Sequence, residues 1–226
     1  ARVEILNNQG IQFKAESDDF LACLKRRQLG PLKHFTPVEN LPSILSPAAR
    51  NSGAASAPPP GLYSRLKMQK LGISPVHLRG WGRKGRQLQD YICLSFHLPP
   101  GILRSEKAPP AILLIDPGVV AWLETCFCPA NSASSRIRTE EILVRLDLPS
   151  FESLFQGEHG HQLRYRQSEV LVQGHIPLEY IHAIVLPESR QGAQCLKTCR
   201  KIRRRRRLRG LWRFPRILSG SWQKFA

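Results

Sequence analysis

The stretch that decides the fold reads LKHFTPVENLPSIL and occupies residues 32–45. Its first five residues are typical of a short strand. Pro37 then fits the first position of a helix that Thr36 can cap. The apolar residues that follow recur at helical spacing as far as Leu45, which predicts a helix over residues 37–45. The body of the chain therefore opens with a short strand that runs directly into a helix.

Further strands are predicted downstream of this stretch. Residues 90–96 and 181–186 are rich in β-formers, and residues 168–172 form an apolar run that contains one carboxylate. Residues 111–116 are more uniformly apolar, which is typical of a strand buried on both faces. A helical pattern covers residues 18–29, but strands and helices do not alternate regularly, which favours an α+β fold over a doubly wound sheet. Neither a GxGxxG motif nor a P-loop occurs, so a nucleotide would not be held by a glycine cradle.

Positive charge is concentrated at one end of the chain. The 226 residues include 34 Lys and Arg against 17 Asp and Glu, a formal net charge of +17. Residues 197–226 carry 12 of these cations and no acid, which leaves 22 cations against 17 acids elsewhere. Such a segment attracts phosphate polymers by releasing counterions, and Trp212, Phe214 and Trp222 within it can stack on bases. The alternative is a disordered basic end that binds any polyanion weakly.

The six cysteines do not form a recognisable disulfide or zinc framework. Cys126 and Cys128 are separated by one residue, which is too tight for a zinc knuckle, and no metal is expected. The chain begins without the apolar run of a secretory signal. We therefore expect reduced, mostly buried thiols in a cytoplasmic protein. No run of about 18 apolar residues occurs, so no transmembrane span is expected.

Three features carry candidate chemistry, and each has an ordinary structural alternative. His34, at the end of the first strand, can exchange hydrogen bonds with a sugar hydroxyl or a carboxamide, or it can be a histidine with only a structural role. Glu169 stands in an apolar strand, where a carboxylate costs free energy unless it is paired or used. The alternative for Glu169 is an exposed position on an edge strand. The basic run over residues 79–86 is either a ligand contact or a solvated loop.

Four short motifs, together and in order, resemble the DarT family of DNA ADP-ribosyltransferase toxins. They are HFTPVENLPSIL at residues 34–45, LQDYI at 88–92, NSAS at 131–134, and RQSEVLV at 166–172 followed by IPLEYI at 176–181. The RSPMLY segment of the family is replaced by LPPGIL at residues 98–103, so the resemblance leaves the modified base open.

The resemblance implies an ADP-ribosyltransferase fold, with two small β-sheets around an NAD cleft and flanking helices. It also implies transfer of ADP-ribose from NAD, the substrate, to a base in single-stranded DNA. Glu169 would be the catalytic carboxylate. Breaking the nicotinamide–ribose bond develops positive charge on the sugar, which a fixed carboxylate stabilises.

The same resemblance assigns the residues that would hold NAD. His34 would bind it, with Thr36 and Asn40 close by. An arginine of the basic run would contact NAD or assist catalysis, since guanidinium groups bind pyrophosphate in a bidentate manner. Arg79 is the favoured catalytic counterpart of the family arginine, and Arg83 is the alternative that would bind the cofactor.

The predicted organisation has three parts: an N-terminal extension over residues 1–30, an ADP-ribosyltransferase-like domain over 31–190, and a basic C-terminal tail over 191–226. The leading hypothesis is a toxin or phage-defence effector whose partners are single-stranded DNA and an antitoxin protein, without a membrane. One alternative is an ADP-ribosyltransferase that acts on RNA or protein. The other is an inactive nucleic-acid-binding module on the same scaffold.

Overall fold

The strands that carry His34 and Glu169 lie near each other in one large sheet. The computed structural model describes residues 11–46, 59–64, 88–97, 110–132, 139–155, 167–208 and 215–219. The strands in these ranges are β1 (Leu32–Thr36), β2 (Gly61–Tyr63), β3 (Tyr91–Ser95), β4 (Ala111–Ile115), β5 (Thr125–Cys128), β6 (Glu169–Gln173), β7 (His175–Pro177), β8 (Ile181–Leu186) and β9 (Arg216–Ser219). Seven of them form a sheet in the order β5-β6-β3-β1-β4-β8-β9, and β2 pairs with β7 in a second sheet.

The helices of the described ranges flank these sheets. They are α1 (Ser17–Arg26), α2 (Leu41–Leu45), α3 (Thr139–Leu143), α4 (Leu148–Ser153) and α5 (Arg190–Leu208). The predicted α+β class is therefore confirmed. Two sheets are present as expected, but they are unequal, with seven strands in one and two in the other. No helix in the described part of the chain is long and apolar enough to cross a bilayer.

β4 is buried on both faces, as its uniformly apolar sequence predicts. It pairs with β1 on one side and β8 on the other, antiparallel to both. Leu113 and Ile115 enter the main core, while Ile112 packs with Val185 in a smaller cluster. The alternation of the strand thus supplies an apolar side chain to each layer.

The segment that precedes β1 contributes to the main core. α1 buries Phe20, Cys23 and Leu24. The Phe20 ring lies 5.7 Å from the ring of Phe127 and 5.6 Å from that of Phe151, measured between centroids. The division at residue 30 remains a prediction, but residues 17–26 are packed on the domain.

A buried lysine ties the same segment to the sheet. The ammonium of Lys14 donates to the carbonyls of Val120 (3.2 Å), Trp122 (2.8 Å) and Thr125 (2.7 Å). It also lies over two phenylalanine rings of the core, 5.1 and 4.9 Å from their centroids. Burial lowers the pKa of Lys14 from 10.5 to about 8, so the group is still an ammonium at neutral pH.

The helix predicted over residues 37–45 does not include its first four residues, so this part of the prediction is wrong. Residues Val38–Asn40 form a 3₁₀ turn, and the α-helix begins only at Leu41. Pro37 has a ψ of 140°, which is an extended conformation, and no side chain caps the turn. The hydroxyl of Thr36 is engaged elsewhere, because it accepts a hydrogen bond from the side chain of Asn40.

The chain beyond β8 is ordered into two more elements. The sequence predicted no strand after residue 186, which is wrong, because β9 pairs with β8 in parallel. Between them α5 packs on β8 and α2. Cys195 and Cys199 of α5 are buried in the main core.

Candidate functional site

Glu169 is a buried carboxylate at the first position of β6. Its side chain is 9% exposed, and its Oε2 accepts a hydrogen bond from the backbone N–H of Ser132 at 2.8 Å. Burial raises the pKa of Glu169 above its usual 4.5, and the hydrogen bonds from Ser132 oppose that shift. A carboxylate that remains buried at this cost is typical of a functional position.

The register of the sheet explains why Glu169 is so poorly solvated. It stands opposite Ser95 of β3 and Cys128 of β5, so all three side chains share one face. This face also carries Leu171 and Cys126, both buried. No ion pair to Glu169 occurs among the described residues. The exposed edge position that the sequence left open is excluded.

Lys33 pairs with Ser95 on the same face of the sheet, but it does not form an ion pair with Glu169. Its ammonium donates to the carbonyl of Phe96 at 2.8 Å. Burial lowers the pKa of Lys33. The lysine thus secures the end of β3, and Glu169 has no cationic partner in the described part of the chain.

His34 lies where β1 and β3 part. The ladder between the two strands has one aligned pair, Lys33 with Ser95. One residue further on, the Nδ1 of His34 is 3.0 Å from the carbonyl oxygen of Cys93. A carbonyl only accepts, so Nδ1 carries the proton and Nε2 is an acceptor. Burial lowers the pKa of His34 below 6.5, which keeps the ring neutral at pH 7.

The side chain of His34 does not share the face of the sheet that carries Glu169. Alternation along β1 directs residue 34 away from the face that carries Lys33, Ser95 and Glu169. The hydrogen bond to the carbonyl of Cys93 links the ring to the backbone of β3. His34 and Glu169 therefore belong to opposite faces of the sheet, and Cys93 and Ser132 connect them.

Thr36 and Asn40 form a hydrogen-bonded pair beyond His34. The Nδ2 of Asn40 donates to the Oγ1 of Thr36 at 3.1 Å, and Thr36 is 4% exposed. The hydroxyl of Thr36 still has its own proton to donate. The three predicted residues on the first motif thus belong to one short segment that presents an imidazole acceptor and a hydroxyl donor.

Two residues connect His34 to Glu169, and the sequence assigned neither of them a role. The carbonyl of Cys93 holds His34, and its thiol lies 3.7 Å from the hydroxyl of Ser132. The backbone of Ser132 in turn holds Glu169. Burial and the nearby Glu169 raise the pKa of the Cys93 thiol, so it stays neutral. The signal for Ser132 was the NSAS motif, but no sequence feature indicated that Cys93 is in contact with the site.

Asp90, from the second motif, joins the smaller sheet to this region. Its carboxylate accepts hydrogen bonds from the side chains of Ser64 (3.2 Å) and Gln173 (2.8 Å). Its carbonyl accepts from the backbone of Gly174 at 2.7 Å. The ends of β3, β6 and β2 are fixed together in this way.

The remaining predicted site residues, Arg79 and Arg83, lie outside the described residues. Within the described ranges, no group of three or more His, Cys, Asp and Glu side chains is arranged to hold a metal ion. All six cysteines are free thiols, and five of them are buried, as expected.

Comparison with protein families identifies the chain. The family model for DarT, described as ssDNA thymidine ADP-ribosyltransferase, matches residues 33–209, more than half of the 226 residues. The chain belongs to the DarT family. It is therefore a member of a family of NAD-dependent ADP-ribosyltransferases, and the match begins one residue before His34 and continues through Glu169 and α5.

Solved structures of DarT share the fold. Thermus sp. 2.9 DarT in complex with ADP-ribosylated ssDNA is 19% identical with a TM-score of 0.51, and the match covers 85% of this chain and 95% of that one. Thermus sp. 2.9 DarT in complex with carba-NAD+ is 20% identical with a TM-score of 0.50, and the match covers 85% and 96%. A comparison with curated proteins finds no match.

Proposed function

We propose that the chain transfers ADP-ribose from NAD to thymidine in single-stranded DNA, with Glu169 as the catalytic carboxylate. The observation that carries this proposal is the buried carboxylate of Glu169, which has no ion pair among the described residues and is connected through Ser132 and Cys93 to the neutral ring of His34. The family description supplies the acceptor base, which the sequence motifs left open.

The donor set fits NAD. His34 offers an acceptor at Nε2 for a ribose hydroxyl or an amide N–H, and Thr36 offers a hydroxyl donor beside it. When bound, NAD supplies a glycosidic bond whose cleavage develops positive charge on the ribose. As the resemblance implies, Arg79, or Arg83 in its place, would contact NAD or assist catalysis, and a guanidinium group there could bind the pyrophosphate in a bidentate manner.

Glu169 would act in two ways during transfer. Its charge, poorly screened in an apolar surrounding, stabilises positive charge that develops nearby. Its oxygen can also accept the proton that the N–H of the base releases when the new bond forms. The raised pKa makes Glu169 a stronger base than an exposed glutamate.

Mass spectrometry of oligonucleotides treated with protein and NAD tests the proposal. We expect a single-stranded oligonucleotide to gain one ADP-ribosyl group only if it contains thymidine, and Glu169→Gln to abolish the reaction. Glu124→Gln, at an exposed carboxylate beside β5, is the matched control and should retain activity. Labelling of RNA or protein alone would instead support one alternative, and binding to DNA without labelling would support the inactive module.

Stability measurements separate a catalytic role for Glu169 from a structural one. A carboxyl whose pKa is raised on folding stabilises the fold when protonated and destabilises it at higher pH. Gln mimics the protonated form and can still accept from Ser132. We therefore expect Glu169→Gln to melt at pH 7.5 no lower than the wild type, and a lower melting temperature would indicate that Glu169 holds the fold.

We also propose that the chain is a toxin or defence effector in the cytoplasm, restrained by an antitoxin protein. An ADP-ribosyl group on a base obstructs pairing, so an active enzyme harms the cell that makes it. The six free thiols are compatible with a reducing compartment. Expression of the wild type should arrest growth while Glu169→Gln should not, and equal growth of both would contradict this role.

A further inference from the structure

α5 presents two faces of opposite character. Its residues Cys195, Cys199 and Ile202 follow the i, i+4, i+7 spacing and pack on the core. Four exposed cations at i, i+3, i+4 and i+7 lie on the other side, and we call them the cation face: Lys197, Arg200, Lys201 and Arg204. The basic tail predicted from composition is therefore, in this part, a helix with one face fixed to the domain.

The cation face lacks any internal neutralisation. α5 contains seven arginines and two lysines among its 19 residues and no acid. No ion pair to the cation face occurs among the described residues. Lys197 with Lys201, and Arg200 with Arg204, are like charges one turn apart, and such pairs destabilise a helix. A polyanion that binds here relieves this repulsion.

The position of α5 connects the cation face to the candidate NAD segment. The thiol of Cys195 donates to the carbonyl of Val38 at 3.5 Å, and Val38 lies between Thr36 and Asn40. A helix with its side chains is about 10–12 Å across, so a strand on the outer face lies about that far from Val38. This separation suits a nucleic-acid strand that lies along the enzyme and places one base in the site.

From these observations we infer that the cation face of α5 binds the phosphate backbone of the single-stranded DNA that the enzyme modifies. This inference rests on the proposed function for the identity of the strand. A lipid surface is disfavoured, because an interfacial helix needs a free apolar face and that of α5 is buried. An acidic protein is disfavoured, because the cation face offers none of the aromatic or aliphatic anchors that centre a protein interface.

Substitution tests this inference better than truncation, since removal of residues 197–226 would also remove Cys199 and β9. The variant is Arg200→Gln with Arg204→Gln. The matched control is Lys25→Gln with Arg27→Gln, which removes the same charge from exposed positions at the end of α1. The measurement is the anisotropy of a labelled oligothymidine bound to the full chain, titrated at several salt concentrations.

For single strands, the logarithm of the binding constant falls with the logarithm of the salt concentration, with a slope of about 0.7 for each phosphate neutralised. Because the variant lacks two cations, its slope should be smaller by about 1.4. Between about 50 and 200 mM salt, the wild type should then lose about sevenfold more affinity than the variant. The control should keep the wild-type slope. The variant without DNA should melt no lower than the wild type, because like-charge repulsion has been removed.

The inference would be overturned if Arg200→Gln with Arg204→Gln showed the same salt dependence of DNA binding as the control variant. It would also be overturned if the variant bound oligothymidine normally but lost binding to polyglutamate or to phosphatidylserine vesicles. The proposed function is tested separately, by labelling with NAD. A wild type that binds DNA through the cation face but never labels it would contradict the function and leave the phosphate contact established.

Discussion

Raising the pH from about 7.5 to about 10 should stabilise the wild type relative to a Lys14→Met variant. Lys14 is 6% exposed and its pKa is lowered from 10.5 to about 8 on folding. Between these values the unfolded chain binds one proton more than the native protein, so stability rises with pH. Each pKa unit corresponds to about 1.4 kcal/mol, so the shift totals about 3 kcal/mol.

Most of this free-energy difference develops between about pH 7.5 and about pH 10, where unfolding can be measured. At about pH 10 the native Lys14 is almost fully deprotonated and the unfolded one is mostly protonated, which yields about 2 kcal/mol relative to pH 7.5. The pH dependence of the free energy of unfolding of the wild type alone cannot show this effect, because buried tyrosines lower that free energy as the pH rises. Burial raises the pKa of Tyr63 from 10.0 to about 12, so its contribution falls as the pH rises.

Urea unfolding followed by tryptophan fluorescence measures the effect. The quantity of interest is the free energy of unfolding of the wild type minus that of Lys14→Met, at each pH. Lys25→Met, on the exposed side of α1, is the control and should show no such change because its ammonium remains in water. A difference that stays constant within about 0.5 kcal/mol, or falls with pH, would refute the reasoning that Lys14 is a buried ammonium.

Three further predictions concern the core, α5 and the catalytic carboxylate. Phe20→Ala should lower the free energy of unfolding by about 3–5 kcal/mol in a urea titration, because it empties a fully buried site against Phe127 and Phe151, and a loss below about 1 kcal/mol would contradict that packing. Gly192→Ala should destabilise by about 1–3 kcal/mol, since a Cβ there would lie 2.1 Å from the carbonyl oxygen of Pro187, whereas a melting temperature equal to the wild type would show that α5 is not seated this closely. The labelling rate should fall as the pH is lowered, and the pH at half-maximal rate should lie above 4.5, because burial raises the pKa of Glu169. A half-maximal rate at or below about pH 4.5 would indicate that an exposed group is the base.

Local sequence patterns predicted the strands at the centre of the sheet. β1, β3, β4, β6 and β8 are runs of β-branched, aromatic and aliphatic residues, and all five are confirmed close to their expected bounds. β5 was not predicted, because a run of only four residues is too short to show the alternation of a strand. β2 and β7 have three residues each and include Gly61 and Pro177, which normally indicate turns.

The C-terminal helix shows how charge can conceal a fold signal. The arginine run favoured a tail, since a run of like charges repels itself. The opposing signal was the apolar spacing of Cys195, Cys199 and Ile202, which is too sparse to outweigh nine cations in 19 residues. Only the packing of those three side chains against the domain decides between the two interpretations.

The sequence named residues of the candidate site but not the contacts that connect them. His34, Thr36, Asn40 and Glu169 follow from the motifs, and whether they act as assigned remains a prediction. The hydrogen bond from Ser132 to Glu169 spans 37 positions and that from His34 to Cys93 spans 59. Contacts of this kind depend on how β1 and β3 part, and a single sequence does not report on strand separation.

The contact between Cys195 and Val38 has a consequence for synthesis of the enzyme. These residues are 157 positions apart, so the segment that carries Thr36 and Asn40 leaves the ribosome long before the helix that backs it. Because chains fold from the N-terminus as they are made, that segment must wait for nearly the whole chain before its support is complete. We therefore expect products that end before residue 190 to lack the contact that supports this segment.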